Sequence, residues 1–454
     1  MDKYVVLYWQ STFDVSISSM FQINVGLASG RSTILSLPDS SKVEDLRILA
    51  QESLGQGSLR LVTAQGHVLA NPSEAIQTAG ICDGDHLTAI VLQPKVAATD
   101  EALAFWHSGG DRIITWGNRG AGGDSSSVRG RLQNIQQVQG INRAFAAILG
   151  DGSVVTWGDR TEGGDSSEVQ HLLRNVQQVQ GASRAFAAIL ADGSVVTWGN
   201  PIDGGDSSAV QEHLRNVRQV QATYRAFAAI RADGSVVTWG EPGAGGDSSG
   251  VQGQLRNVQE IQATYRAFCA ILADGSAVVW GDGSWGGTCD SSAVHRQLRN
   301  VERVQGAHFA FAAIVKDESI VTWGHPSFGG DSSKVQGQLR GVQEIQMTQT
   351  AFAAILADGS VVTWGNPQRG GDSSKVQDQL RNVQQLQSTE RAFAALLADG
   401  SVITWGDSKA GGDSSAVQGQ LKGVQQIQAT DGAFAAILAD GSVVTWGDAE
   451  YAAG

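Results

Sequence analysis

The residues able to do covalent or metal chemistry are few and badly spaced for it. The three cysteines, Cys82, Cys269 and Cys289, are odd in number and far apart, so they give neither a disulfide framework nor a metal-ligand spacing. Cys269 replaces an alanine inside a strand-like run and reads as a small core residue, and Cys289 sits in a loop insertion and reads as an exposed thiol. The eight histidines are scattered, none paired at ligand spacing. Eight "GGDSS"-like sites, one interrupted as "GGTCDSS" at 286–292, raise the question of calcium. Calcium β-rolls place such motifs about every nine residues, whereas here the interval is 41. Helix capping is the simpler account of these aspartates. The expectation is a chain with no catalytic residue, no metal and no cofactor, and therefore not an enzyme.

Composition narrows the partners. A net charge of −13 argues against nucleic acid, because phosphate binding needs clustered Lys and Arg to release counterions. A local basic ring from Arg143, Arg184, Arg225, Arg266 and Arg391, each preceding an Ala-Phe pair, is expected to be neutralised by the aspartates of "GGDSS". No apolar run reaches membrane-spanning length, and "YVVLYW" is too short for a signal-peptide core. Together with the cysteine usage this places the chain in the cytosol or nucleus.

What must position any binding residue is a repeat. Trp-Gly recurs at Trp116, Trp157, Trp198, Trp239, Trp280, Trp323, Trp364, Trp405 and Trp446, with steps of 41 residues except one of 43. Within the unit from Trp364 to Gly406, "AFAALLA" and "SVITWG" flank Asp399-Gly400, and an Asp-Gly pair between two apolar runs predicts a hairpin. "NVQQLQST" alternates imperfectly and reads as a third strand. "GGDSSKVQDQL" reads as flexible glycines followed by a short helix or helical turn capped by Asp372, Ser373 or Ser374. The nine Trp-Gly tryptophans are expected to be core. Hairpins at this period suit the blades of a β-propeller, with an open β-rich solenoid as the structural rival.

The hairpin, Asp-Gly turn and terminal "TWG" resemble the repeat of the regulator of chromosome condensation family over roughly residues 102–447. The resemblance implies a propeller, usually seven-bladed. Two departures stand out. The family's repeat is longer and carries a Gly-Gln-Leu-Gly-like turn where this chain has "GGDSS", and eight "GGDSS"-like copies point to eight blades. The degenerate "FWHSGGDRIITWG" at 105–117 would then supply an extra hairpin for closure or capping. HERC-type ubiquitin ligases join such propellers to a C-terminal cysteine-dependent catalytic domain, and no candidate nucleophile follows the last repeat here. The family's UV-B photoreceptor motif Gly-Trp-Arg-His-Thr is likewise missing.

Residues 21–92 lie outside the repeat. They read as strand, turn, strand, an amphipathic helix carrying Val43, Leu46, Ile48 and Leu49, then short strands. The stretch resembles ubiquitin, a β-grasp α+β fold. The resemblance would put ubiquitin's recognition patch on Ala28, Val62 and Ile90. The chain continues through "QPKVAATDEA" without an exposed Gly-Gly, so conjugation is not expected, and ubiquitin-pathway components are one candidate class of partner. The expected organisation is an unassigned segment 1–20, a ubiquitin-like domain 21–92, a linker 93–101 and a mainly β propeller of about eight 41-residue repeats over 102–454.

Where the copies differ, packing does not dictate the residue. Differences concentrate in the four residues after each Trp-Gly and the four before each Ala-Phe, and chain direction puts both loops on one rim. Constant scaffold with varied loops is how binding surfaces are built. Trp285, Phe328, His308, Phe309, Tyr265 and Tyr224 are the large aromatics of these loops and the expected partner-binding residues. A local repair that packs Trp285 and Phe328 over the insertion at Thr288 and Cys289 is the competing reading. The function expected is a non-enzymatic protein-binding module. A substrate-recognition component of a ubiquitin ligase acting with a catalytic partner in trans is second, and a guanine-nucleotide exchange factor is third.

Overall fold

A computed structural model describes residues 20–56, 58–69, 71–92, 94–110, 112–288, 292–439 and 442–448. The first nineteen residues and Cys289 lie outside the described residues. The chain divides into two compact units. One takes residues 1–96 with 105–114 and 132–136, and the other takes 97–104, 115–131 and 137–454.

In the first unit, β1 (Met20–Leu27) pairs antiparallel with β2 (Ser32–Pro38) across a tight turn. The chain then enters α1 (Val43–Leu54) and returns through β3 (Leu59–Thr63) and β4 (His86–Val91). The sheet order is β2-β1-β4-β3, with β1 and β4 parallel and β3 antiparallel to β4. The alternation of β1 buries Ile23 and Val25, which meet Leu46, Ala50 and Leu54 of α1 and Leu61 of β3 in one core. The buried stripe of α1 is Val43, Leu46, Ala50 and Leu54. Ile48 and Leu49 are exposed, because at 3.6 residues per turn they fall outside the stripe that Leu46 and Ala50 set. Gly55 ends the helix at φ 58° with its N–H on the Gln51 and Glu52 carbonyls.

The rest of the described chain is a repeated three-stranded sheet. The first comprises β5 (Pro94–Ala98), β6 (Ala102–His107) and β7 (Ile113–Gly117), so the stretch expected as a linker supplies a strand. The second comprises β8 (Ile135–Gly140), β9 (Ala144–Leu149) and β10 (Val154–Gly158), and the third β11 (Val176–Gly181), β12 (Ala185–Leu190) and β13 (Val195–Gly199). Six more follow the same pattern, the last ending in Val443–Gly447. The extra hairpin foreseen at 105–117 is thus part of a full three-stranded sheet.

One sheet shows why the sequence folds this way. Phe186 of β12 pairs with Trp198 of β13, and their rings stack at 5.2 Å. The imperfect alternation of β11 is a bulge: Val176 faces Leu190 while Gln178 faces Ile189. The extra residue resets the pleat, so Val176 and Val179, three apart, are both buried. The hairpin turn is fixed by Asp192, whose carboxylate accepts from Ser194 N and Oγ at 2.9 and 2.6 Å. Asn175 and its counterparts from Asn134 to Asn382 adopt φ of 50–56° before the first strand of their sheets, a left-handed position that Asn tolerates.

Successive sheets are joined by the Gly-Gly loop. Trp198 Nε1 donates to the carbonyl of Gly163 in the preceding copy at 3.0 Å. The same bond recurs from Trp157 to Trp446. A Cβ on Gly163 would stand 2.8 Å from the Phe186 ring, at a φ of 97°. These glycines are close-approach points under the next copy's aromatic pair, not flexible spacers. The "GGDSS" aspartates do not cap α-helices. Asp165 Oδ1 closes a tight turn on Ser167 N at 3.0 Å. Most segments that follow are turns or single 3-10 turns, and α2 (Ser292–Gln297) is the one α-helix among those described. Eight Trp-Gly tryptophans are 3–5% exposed, but Trp116 is 44% exposed. Trp116 departs from the core expectation: the other eight are covered by a Gly-Gly pair 35 or 37 residues earlier, and residues 81–82 are Ile-Cys.

Candidate functional site

The two variable loops meet at one end of each sheet. Asn200 N donates to Arg184 O at 2.8 Å and Glu241 N to Arg225 O at 2.8 Å, tying the loop after Trp-Gly to the one before Ala-Phe. The Asp-Gly turns lie at the other end of the same strands. Along this rim runs a backbone ladder in which each copy's N–H reaches the next copy's carbonyl. The links are Asp100 to Asn142, Ser183, Tyr224, Tyr265, His308, Gln349, Glu390 and Asp431, at 2.8–3.2 Å. The ladder fixes these nine residues in a consecutive row, so a side chain on one copy is a neighbour of its counterpart on the next.

On the first half of the row the rim is ionic. Asp203 has a fully buried side chain and receives Arg184 Nε and Arg225 Nε, both at 2.6 Å, with Ser183 Oγ at 3.0 Å. Burial alone would raise the Asp203 carboxyl, and the hydrogen bonds from Arg184, Arg225 and Ser183 outweigh it and hold it below the usual range. The alternation continues through Glu241, which pairs with Arg225 at 2.9 Å and Arg266 at 3.0 Å, to Asp282. Arg391 pairs with Asp407 at 3.5 Å. Four of the five arginines are thus neutralised, but by carboxylates of the loop after Trp-Gly. The "GGDSS" residues Asp124 and Asp165 instead hold Arg119 and Arg160.

The ionic chain then gives way to an aromatic one. Phe309 stands where Arg143, Arg184, Arg225, Arg266 and Arg391 stand in other copies, and Trp285 and Phe328 stand where Ala121, Ala244 and Ala410 do. Tyr224 stacks on Tyr265 at 4.1 Å, Tyr265 on Trp285 at 5.1 Å, and Trp285 on Phe309 at 4.0 Å. Phe309 meets Phe328 at 4.7 Å, and Phe328 stacks on His325 at 4.4 Å. His308 lies 5.5 Å from Tyr265. All six aromatic residues expected for partner binding therefore join one continuous stack, each half-buried. His325, which no sequence pattern singled out, completes it. Stacked, offset rings of this kind fix one another's rotamers. Burial, then the charge of Arg369, push the His308 imidazole below its usual pKa, so it is a neutral member of the stack at neutral pH. Burial and the hydrogen bond with Tyr224 raise the Tyr265 phenol.

The two ends of the row are acidic, Asp100 at one and Glu390 and Asp431 at the other. Burial and then the neighbouring Asp431 raise the Asp100 carboxyl, with Arg143 opposing. Burial and Asp431 raise that of Glu390, with Arg391 and Arg369 opposing.

In the first unit, Ile90 is exposed on β4, and Val62 of β3 is its diagonal neighbour, since Arg60 faces Ile90 and Val62 faces Thr88. Ala28 is exposed one residue past the Leu27–Ala89 pair. Cys82 is exposed and Cys269 fully buried. Among the described residues no three metal-ligating side chains converge, and no helix is long and apolar enough to cross a membrane.

No family model and no curated protein sequence matches the chain. Among solved structures it is similar to human WBSCR16, at 13% identity and a TM-score of 0.37, over 59% of this chain and 88% of that one. It is similar to yeast RCC1 (Prp20), solved with Kap60 bound, at 15% identity and a TM-score of 0.33, over 53% of this chain and 72% of that one. Over 19% of this chain and 92% of that one it is similar to the ubiquitin-like domain of an Arabidopsis thaliana protein, at 11% identity and a TM-score of 0.16.

Proposed function

We propose that the three-stranded sheets close into a propeller that binds a protein partner, without catalysis, through the rim where the variable loops meet. The observation that carries this reading is the half-buried stack Tyr224–Tyr265–Trp285–Phe309–Phe328. It replaces an ionic chain that serves the same positions elsewhere, so packing of the repeat does not require it. Preformed aromatics at the centre of a patch are the usual anchors of an interface, because little side-chain entropy remains to be lost on binding. Closure of the ring is supported by the charge of Asp431, at one end of the ladder, acting on Asp100 at the other.

Changing Trp285 and Phe328 together to Ser tests the rim. Comparative affinity purification should lose a set of proteins that the unaltered chain retains, with the melting temperature unmoved. A lowered melting temperature with an unchanged set of captured proteins would instead make the stack a packing repair.

The exposed Ile90 beside Val62 favours a second reading for the first unit. As a ubiquitin-like domain it would dock ubiquitin-pathway components on that sheet face, bringing them to whatever the rim holds.

A further inference from the structure

We infer that the segment of partner seated on the aromatic rim is basic, and that one of its Lys or Arg side chains is received where the stack meets Asp100, Glu390 and Asp431. This rests on the rim reading and adds the chemistry of the partner. The stack does not end in solvent at its tyrosine end. Asn142, linked to Asp100 through the ladder at 3.0 Å, donates Nδ2 to Tyr224 Oη at 3.2 Å. Tyr265 in turn feels the charge of Asp100. Glu390 is linked to Asp431 at 2.9 Å. Asp431 acts on both Glu390 and Asp100, so the three carboxylates form one acidic group that reaches the phenol edges through Asp100 and Asn142.

The charges around that group do not cancel. Arg184, Arg225, Arg266 and Arg391 are taken by Asp203, Glu241, Asp282 and Asp407. The remaining cations of the rim loops are Arg143, which faces Asp100 and Glu162, Arg369, which donates to Gln349 at 3.0 Å, and the exposed Lys409. Against these three stand Asp100, Glu101, Glu162, Glu390 and Asp431, on a chain whose net charge is −13. Carboxylates held together by the fold repel one another, and a cation from a partner relieves that repulsion while its methylene stem lies on ring edges. An acidic or neutral segment gains nothing there.

The test uses the full chain and a lysine homopeptide at low ionic strength, followed by tryptophan fluorescence. Asp100→Asn with Asp431→Asn should weaken binding about tenfold, and binding should fall as salt rises. Asp192→Asn with Asp233→Asn, at the Asp-Gly turns, removes the same charge from the other end and should leave binding within about twofold. Equal losses in both pairs, or no binding of the homopeptide by the unaltered chain, overturn the inference. If the first pair unfolds the chain, Glu390→Gln is measured in its place against the same control. Loss of captured proteins on Trp285→Ser with Phe328→Ser, combined with equal losses in the two aspartate pairs, leaves the rim reading standing and removes only the basic partner.

Discussion

Glu318 takes the turn position that is glycine in seven other Asp-Gly hairpins of the chain. Its φ is 60°, in the left-handed region where the six described glycines sit at 75–79°. A side chain in that region costs about 1–2 kcal/mol, and glycine's extra freedom in the unfolded chain returns about half of it. Glu318→Gly is therefore expected to stabilise by about 0.5–1 kcal/mol, read as a higher denaturant midpoint with an unchanged slope. A lower midpoint would show that Glu318 makes up the strain through contacts of its own. Asp203 shows the limit of reading residues singly. In sequence it is one of several variable loop residues, whereas in the fold it is the buried joint between two arginines from successive copies. Nothing within its own loop distinguishes it, because both partners lie about half a repeat away in sequence on either side.

The repeated element was legible in kind and misread in its joints. Trp-Gly spacing and the Asp-Gly pairs mark the hairpins, since both signals are local and fixed by backbone chemistry. The bulge in the first strand was visible only as broken alternation, and the Gly-Gly loops looked like slack because the ring that forbids a Cβ there belongs to the following copy. Such joints make each element depend on its neighbour. Trp198 is 4% exposed, stacked on Phe186 and bonded to Gly163 of the copy before it. Trp198→Ala should cost about 3–5 kcal/mol. A denaturant titration that found no loss would remove Trp198 from the core. The rim aromatics were legible as residues of the variable loops, but their merging into one stack was not, since it depends on the register that the backbone ladder imposes.

At the scale of the whole chain the acidic arc sets a pH dependence. The Asp100 and Glu390 carboxyls are raised, first by burial and next by Asp431. A raised carboxyl binds its proton more tightly in the folded state, so stability from these groups is greatest below the ordinary carboxylate pKa of about 4. It falls as pH climbs through the window up to the raised value. Asp151, Asp192 and Asp233, lowered by hydrogen bonds from the following serines, act in the opposite sense and lose their contribution as pH falls. Comparing Asp100→Asn with the unaltered chain cancels the aspartates they share. The variant should melt higher at neutral pH, and the difference should vanish below about pH 4. A difference that stays constant across that range would mean that the Asp100 charge is not what is being read.

Every link of the ladder points the same way, from an amide on one copy to a carbonyl on the next. Such a strip has a head and a tail. Asp100 leaves a carbonyl, and Asp431 an amide, that make no further ladder bond among the described residues. The two ends are therefore complementary, and the bond that would complete a circle within one molecule is the same bond that would join the tail of one molecule to the head of another. Tethering decides between them, because ends carried on one chain meet at a far higher effective concentration than ends on separate molecules at ordinary dilution. The propeller proposed above would use that donor and acceptor within one molecule.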